Sequence, residues 1–377
     1  MSMCRVWSRQ NRDRARVWWL GRRVSWLCPG DVMSYRELAR SSGPLFLVLG
    51  LAARLPYAMV SLATLLWLRT GGMNFAHAGG VAAAQSIAIA VGGLIAGRLA
   101  DRHGPRRVGV VAAVLNVGAA AFMICTPAHG WPAGLVAVLV GLTQPQVGPL
   151  VRVHWALHRP DLLPVALSFE AAADEIGFIV GPMIASLPAM LVLLLVAAVP
   201  FALRYDRGRP TPASSAVAVR WLSIAVLVAA MVSVGVIFGA VQTGVTAHGG
   251  AGQLYGLLGV GSCVGGVANG WMRLSRRLSA AALVIGMIGL VVLPLPLAMI
   301  IGGITIAPYM VSLFATAERL AVGRVGTVIA MLSAGGPVGT AVGQLVAGWQ
   351  ADQYGATGAF VVAPVAAVFC AIARLAA

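Results

Sequence analysis

The sequence predicts an all-α membrane protein of twelve transmembrane helices in two pseudo-symmetric six-helix bundles, and three observations carry that expectation. Of 377 residues, 59% are hydrophobic and 10% charged, with a mean hydropathy of +0.88, whereas a soluble domain carries about a quarter charged residues. Apolar runs recur at the roughly 20 residues that cross a bilayer core. The basic residues, all of them arginine, gather on one side of those runs. Disorder, collagen-like repeats and secreted disulfide scaffolds are excluded. A lysine-free chain rich in Ala, Gly and Arg also fits a GC-rich bacterial genome.

In chain order, apolar spans lie near 44–68, 77–98, 107–126, 131–152, 163–185 and 188–204, with connectors of Gly, Pro, Arg and His between them. The first polar break, 204–220 (RYDRGRPTPASSAVAVR), has the composition of a linker between bundles. Spans near 221–243, 252–272, 279–296, 297–317, 326–348 and 358–374 follow. This divides the chain into an N-terminal extension (1–42), a first bundle (43–204), a cytoplasmic linker (205–220) and a second bundle (221–377). Two pairs of spans are hinged only at Ser186-Leu187-Pro188 and Leu293-Pro294-Leu295-Pro296, so hydropathy alone leaves eleven spans open.

Arginine sets the orientation. With a cytoplasmic N-terminus, 25 of the 27 arginines fall inside, Arg69 alone falls outside and Arg54 lies within the membrane. A missing span would scramble that alternation. The expectation is a multi-pass protein of the bacterial inner (plasma) membrane with both termini cytoplasmic. Its net charge of +16 then reports topology rather than nucleic-acid binding. Residues 1–42 have two readings: a cationic, Trp-bearing tail on anionic lipid, or a stretch upstream of a true start at Met33.

Chemistry of other kinds finds no anchor. Five cysteines are scattered without metal-like spacing, and six histidines sit at loops or span ends. There is no Walker motif, no Ser/His/Asp grouping and no HExxH. No catalytic residue, metal or cofactor is expected.

The halves echo one another. VGGLIAGRLADRHGPRRV (91–108) ends the second span and VGGVANGWMRLSRRL (264–278) the eighth, while Gly181-Pro182 in span five matches Gly336-Pro337 in span eleven. Such echoes are what a duplicated transporter leaves. GRLADRHGPRRV, through Gly97, Leu99, Asp101, Arg102, Gly104, Arg106 and Arg107, resembles the loop 2–3 signature of the major facilitator superfamily. Gly177, Gly181 and Pro182 resemble the helix-five G-x-x-x-G-P motif of its antiporters. The resemblance covers residues 43–377. It implies alternating access by rocking bundles, with Asp101 docking near the N-terminal end of helix eleven to hold the outward-facing state. Arg152 is a candidate partner for Asp101, and the bend at Gly181-Pro182 would pack on helix eight to seal the interface. Read as a helix end, the same pair needs no such role.

Span five is the most charged, with Glu170, Asp174 and Glu175 in an apolar stretch. Each such charge costs at least about 2.5–3.5 kcal/mol near a bilayer centre, so these residues are expected to face the bundle and to be paired or functional. Glu170, Asp174, Gly177 and Gly181 share one helical face. Arg54 in span one lies about 15 Å in from the cytoplasmic side, between Glu170 at about 12 Å and Asp174 at about 18 Å. Their cluster is either a static brace between helices or a proton-coupling site, desolvation favouring the neutral acid and the arginine the anion. The second half lacks an aspartate in its loop 8–9, and span eleven holds no acid, so coupling is expected in the first half. Polar residues Gln144, Gln146, Gln242, Thr243 and Tyr309 are candidates for the central cavity or for helix-to-helix hydrogen bonds. Pro145 would unwind span four between its glutamines.

The resemblance implies a secondary transporter exporting small amphipathic or drug-like compounds against protons across the lipid bilayer, with no nucleic acid and no obligate protein partner. A sugar or amino-acid exporter is the alternative within the class. A membrane sensor or membrane enzyme is the alternative outside it.

Overall fold

The computed structural model describes residues 37–38, 40–158, 163–204, 221–250, 252–272, 274–320 and 325–376. The linker at 205–220 and nearly all of 1–42 lie outside the described residues, and so do the expectations placed on them. Within the described residues the chain is helical, with no strand. The helices are α1 (Pro44–Thr70), α2 (Phe75–His103), α3 (Pro105–Cys125), α4 (Gly130–Leu142, resuming as Val147–His158), α5 (Leu163–Met183) and α6 (Leu187–Arg204). After the linker come α7 (Trp221–Ala247), α8 (Gly252–Met272), α9 (Arg276–Val292) and α10 (Leu295–Leu320). The last stretch, Val325–Ala376, turns at Gly355 (φ +66°) into α11 (325–354) and α12 (356–376). Among the described residues, seven stretches are long and apolar enough to cross a bilayer by length and composition.

Each half has its own core. Met59, Val60, Val136, Trp155, Met190 and Phe201 are buried together in the first; Leu227, Ile237, Leu283, Met299, Tyr309 and Phe360 in the second. Large apolar side chains also cover the outside: Val111, Leu115 and Phe122 on α3, Ile285 and Val292 on α9, Val365 and Phe369 on α12. Apolar residues on both the buried and the exposed sides are what a helix in lipid requires.

Lipid tails give helices no hydrophobic reason to associate, so close packing of small residues holds the bundles. On α7, Gly235 faces the Gly336 carbonyl and Gly339, and Gly239 faces the Thr340 carbonyl of α11. On α8, Gly261 and Gly265 lie against the Ile300 and Ile304 carbonyls of α10. A Cβ at any of these glycines would overlap backbone.

Two helices break where a proline removes a backbone donor. In α1 the break is at Ala53-Arg54, because Pro56 offers no N–H to continue the ladder; the Arg54 amide turns back to the Leu51 carbonyl at 3.2 Å. In α4, residues 143–146 are non-helical around Pro145, and the Gln144 amide bonds Gly141 instead of Val140 (3.2 Å). The Val140 carbonyl, stripped of its helical donor, takes Asn116 Nδ2 of α3 at 2.8 Å, and the same nitrogen reaches Thr143 Oγ1 at 2.9 Å. Asn116→Leu leaves the Val140 carbonyl only the longer bond from Thr143 Oγ1, at 3.4 Å, and should lower stability by about 1–2 kcal/mol, measurable as an earlier thermal unfolding midpoint in detergent.

One boundary is corrected. The sequence reading ends span eleven at 348, leaving no acid on it, but α11 continues two turns further and carries Asp352. Residues 349–354 mix polar and apolar side chains without a helix breaker, and Gly355, with its positive φ, stops the helix.

Among the described residues, Gly71 lies against Ala128, Phe75 against Asp352 and Gly252 against Pro182 at an arginine-poor end, whereas Arg98, Arg102, Arg106 and Arg107 lie at the far end of α2 and the start of α3. The halves meet mainly through α2 on α11 and α5 on α8. On the second of these seams, Gly252, Gly256 and Gly259 of α8 lie against Pro182, Met183 and Ile179 of α5. Both seams run toward the arginine-poor end.

Candidate functional site

The break in α1 places a guanidinium inside the first bundle. Arg54, 5% exposed, points at α5, where it pairs through Nη2 with Glu170 Oε2 and through Nε, at 3.1 Å, with Asp174 Oδ1. Glu170 is 2% exposed, and its other oxygen accepts a hydrogen bond from the indole Nε1 of Trp155 on α4 at 3.2 Å. Asp174 retains 30% of its side-chain exposure. So the arginine joins a sealed carboxylate to a partly exposed one, and three helices meet at the cluster. When all three groups are ionised, one guanidinium between two carboxylates leaves one negative charge over. One proton neutralises the set.

Small residues make the approach. A Cβ on Gly177 would sit 3.9 Å from Arg54 Cβ, and one on Gly181 would press to 2.9 Å on Ala58 Cβ. Thus Gly181 seats α5 on α1, while its neighbour Pro182 turns its carbonyl to Gly252 of α8. The pair faces two ways, not toward helix eight alone. Glu175, around the helix, lies beside Ser262 of α8 and so belongs to the seam between halves.

The loop 2–3 residues stand apart from this cluster. Gly104 (φ +86°) makes the turn from α2 to α3, a backbone shape that favours glycine, and Pro105 starts α3. Arg102 and Arg107 are exposed and Arg106 is half-buried. The side chains of Asp101 and Arg152 lie outside the described residues. Gly97 lies within α2, which runs on to His103, and a Cβ on it would meet nothing within 4 Å. The close approaches on α2 are at Gly79, against the Gln344 carbonyl of α11, and at Gly92, against the Leu142 carbonyl of α4.

The cavity candidates divide. Gln144 is buried at the α4 break with no hydrogen-bond partner for Oε1, and Gln146 lies against Gly93 of α2. Gln242 joins a chain that crosses between the halves: Ser86 Oγ of α2 donates to Gln344 Oε1 of α11 (3.0 Å), Gln344 Nε2 to Gln242 Oε1 (3.0 Å), and Gln242 Nε2 to the Tyr255 hydroxyl (3.4 Å). Thr243 bonds the Gly239 carbonyl within its own helix. Tyr309 looks away from the centre. It is wholly buried, donates to the Cys370 carbonyl of α12 at 2.9 Å and lies under Arg374, so it is a helix-to-helix contact.

Sequence reasoning misses Trp155, Ser86, Gln344 and Asp352. A tryptophan or glutamine in an apolar run gives no sign of its partner until the helices are packed. Among the described residues no group of His, Cys, Asp and Glu is arranged to hold a metal ion.

No family model and no curated protein matches the sequence. Solved structures do match the fold. The POT family transporter PepTSo superposes with a TM-score of 0.69 at 14% identity, over 89% of this chain and 96% of that one. A mutant form of the nucleoside transporter NupG gives 0.65 at 14%, over 88% and 98%. A bacterial homolog of the human lysosomal transporter Spinster, inward-facing and unoccupied, gives 0.64 at 11%, over 89% and 95%.

Proposed function

We propose that this chain, which has the fold of the major facilitator transporters, is a secondary active transporter exporting small amphipathic or drug-like compounds in exchange for protons. The observation that carries the reading is the Arg54–Glu170–Asp174 cluster: a buried cation shared by two carboxylates, one sealed and one partly exposed, at a break in a spanning helix. A static pair between helices needs only one carboxylate. The second gives the cluster a state with a proton and a state without one, which is what coupling requires. The positive-inside rule puts the arginine-rich end in the cytoplasm of a bacterial inner membrane, with both termini on that side. Since both seams between halves lie toward the arginine-poor end, the conformation reads as inward-facing.

Amides and hydroxyls at the centre (Gln144, Gln146, Gln242, Gln344 and Ser86), without a charged group among them, fit a neutral or weakly polar solute. They also favour the second reading, a sugar or amino-acid exporter of the same fold.

The test is flux in proteoliposomes with an imposed pH gradient, over a panel of amphipathic dyes, sugars and amino acids. Glu170→Gln or Asp174→Asn should lower gradient-driven flux at least tenfold while leaving substrate exchange without a gradient. Glu175→Gln should stay within about twofold of the parent. If all three variants keep proton-driven flux, coupling lies elsewhere.

A further inference from the structure

The acid that the sequence reading leaves off helix eleven has a partner in the opposite half. Asp352, on the last turn of α11, accepts hydrogen bonds from the backbone amides of Phe75 and Ala76, each at 2.8 Å. Those are the first two residues of α2, whose own N-cap, Asn74, turns its side chain to the amide and ring of His77 instead. A helix leaves its first N–H groups without internal partners, and a carboxylate there satisfies them and meets the positive end of the helix dipole. Here that carboxylate comes from the other bundle.

The same face of α11 continues inward at helical spacing. One turn below Asp352, Gly348 lies against the Phe75 carbonyl and Gly79, and a Cβ on either glycine would overlap backbone. One turn further, Gln344 accepts from Ser86. Asp352, Gly348 and Gln344 thus form three layers of one contact, running from the arginine-poor rim toward the centre. The bundles cannot separate at this end without uncapping α2 and leaving two of its amides to water.

We propose that Asp352 is the latch of the outer gate, a cap supplied in trans that holds α2 against α11 while the transporter faces the cytoplasm and that releases when the outer half opens. This rests on the alternating-access reading above, and the experiment separates failure of the one from failure of the other. The full chain, its five native cysteines replaced by serine or alanine, carries spin labels at His129→Cys and Leu293→Cys. These are exposed sites at the arginine-poor end of the two halves. Dipolar distances are measured in lipid nanodiscs, at neutral pH and after acidification.

The unmodified latch should give mostly the short distance. Asp352→Ala should raise the ratio of long to short roughly five- to tenfold, the size expected for loss of a charge-assisted cap, and Asp352→Glu should recover part of it. Phe75→Pro attacks the contact from the other side, deleting one donor at a helix position that tolerates proline. It should shift the ratio in the same direction by less, whereas Phe75→Ala, which loses the ring but keeps the N–H, should not. The latch is overturned if Asp352→Ala and Phe75→Pro both leave the ratio within twofold while the parent still interconverts two distances. A single unchanging distance in every protein overturns alternating access itself, and the latch with it.

Discussion

Replacing Arg54 with methionine should cost the folded chain about 3–5 kcal/mol and abolish proton-driven flux, and adding Glu170→Gln should restore most of the stability but not the flux. The first figure is the usual penalty for breaking a buried ion pair, since it strands Glu170, 2% exposed, as an anion without its counter-charge. The second follows because the uncharged amide removes the stranded charge, and its oxygen still accepts the Trp155 indole N–H. Asp174, with 30% exposure, keeps access to water without help. Thermal unfolding in detergent reads stability, and proteoliposome flux reads coupling. The two readouts part company only if the cluster cycles a proton. Were Arg54→Met/Glu170→Gln to transport at the parent rate, the arginine and the carboxylates would be a brace between α1 and α5, and the proposed coupling site would be wrong.

That this cluster is legible in the sequence has a simple cause. Charges in apolar spans are few and costly, so each one asks for a partner, and depth along two helices of known direction narrows the choice: 1.5 Å per residue alone matches Arg54 to Glu170 and Asp174. Its third member, Trp155, is not legible, because a tryptophan in an apolar helix needs no explanation. The break in α4 follows from Pro145, but the sequence reading does not draw the one in α1, which aims Arg54, from Pro56.

The contacts between halves are the least legible. The sequence reading seeks a carboxylate on a helix N-terminus at Asp101 and α11. The described contact of that kind is at the other end of the same helix pair, from Asp352 to α2. Composition points to the first because it sits in a recognisable motif, and hides the second because Asp352 follows the last apolar residue of its span. For Tyr309 the sequence reading leaves two roles open, and the described one is the hydrogen bond between helices. Periodicity places a polar group on a helix but does not say which of two neighbouring helices it faces, and here it faces α12.

The seam between α5 and α8 yields the other large effect. Gly252→Val should leave both bundles folded, with thermal stability within about 1 kcal/mol of the parent, yet shift the conformational balance away from the outer-closed state by about a hundredfold. A Cβ on Gly252 would overlap the carbonyl oxygen of Pro182 and come within 2.6 Å of its carbon. Overpacking of that kind costs about 3 kcal/mol. Because the contact joins the two halves, they escape it by staying apart at that end rather than by unfolding. The contrasting variant is Gly303→Val, whose Cβ would meet the Leu258 carbonyl and come within 2.9 Å of Gly261 Cα. That crossing of α10 on α8 lies inside one bundle, where no rigid-body motion relieves it, so its cost should appear as lost stability. Spin-label distances at the arginine-poor end should therefore lengthen for Gly252→Val and not for Gly303→Val, while unfolding midpoints should fall in the reverse order. If both variants only unfold the protein, α5 and α8 are parts of one rigid body, and the two halves do not rock about this seam.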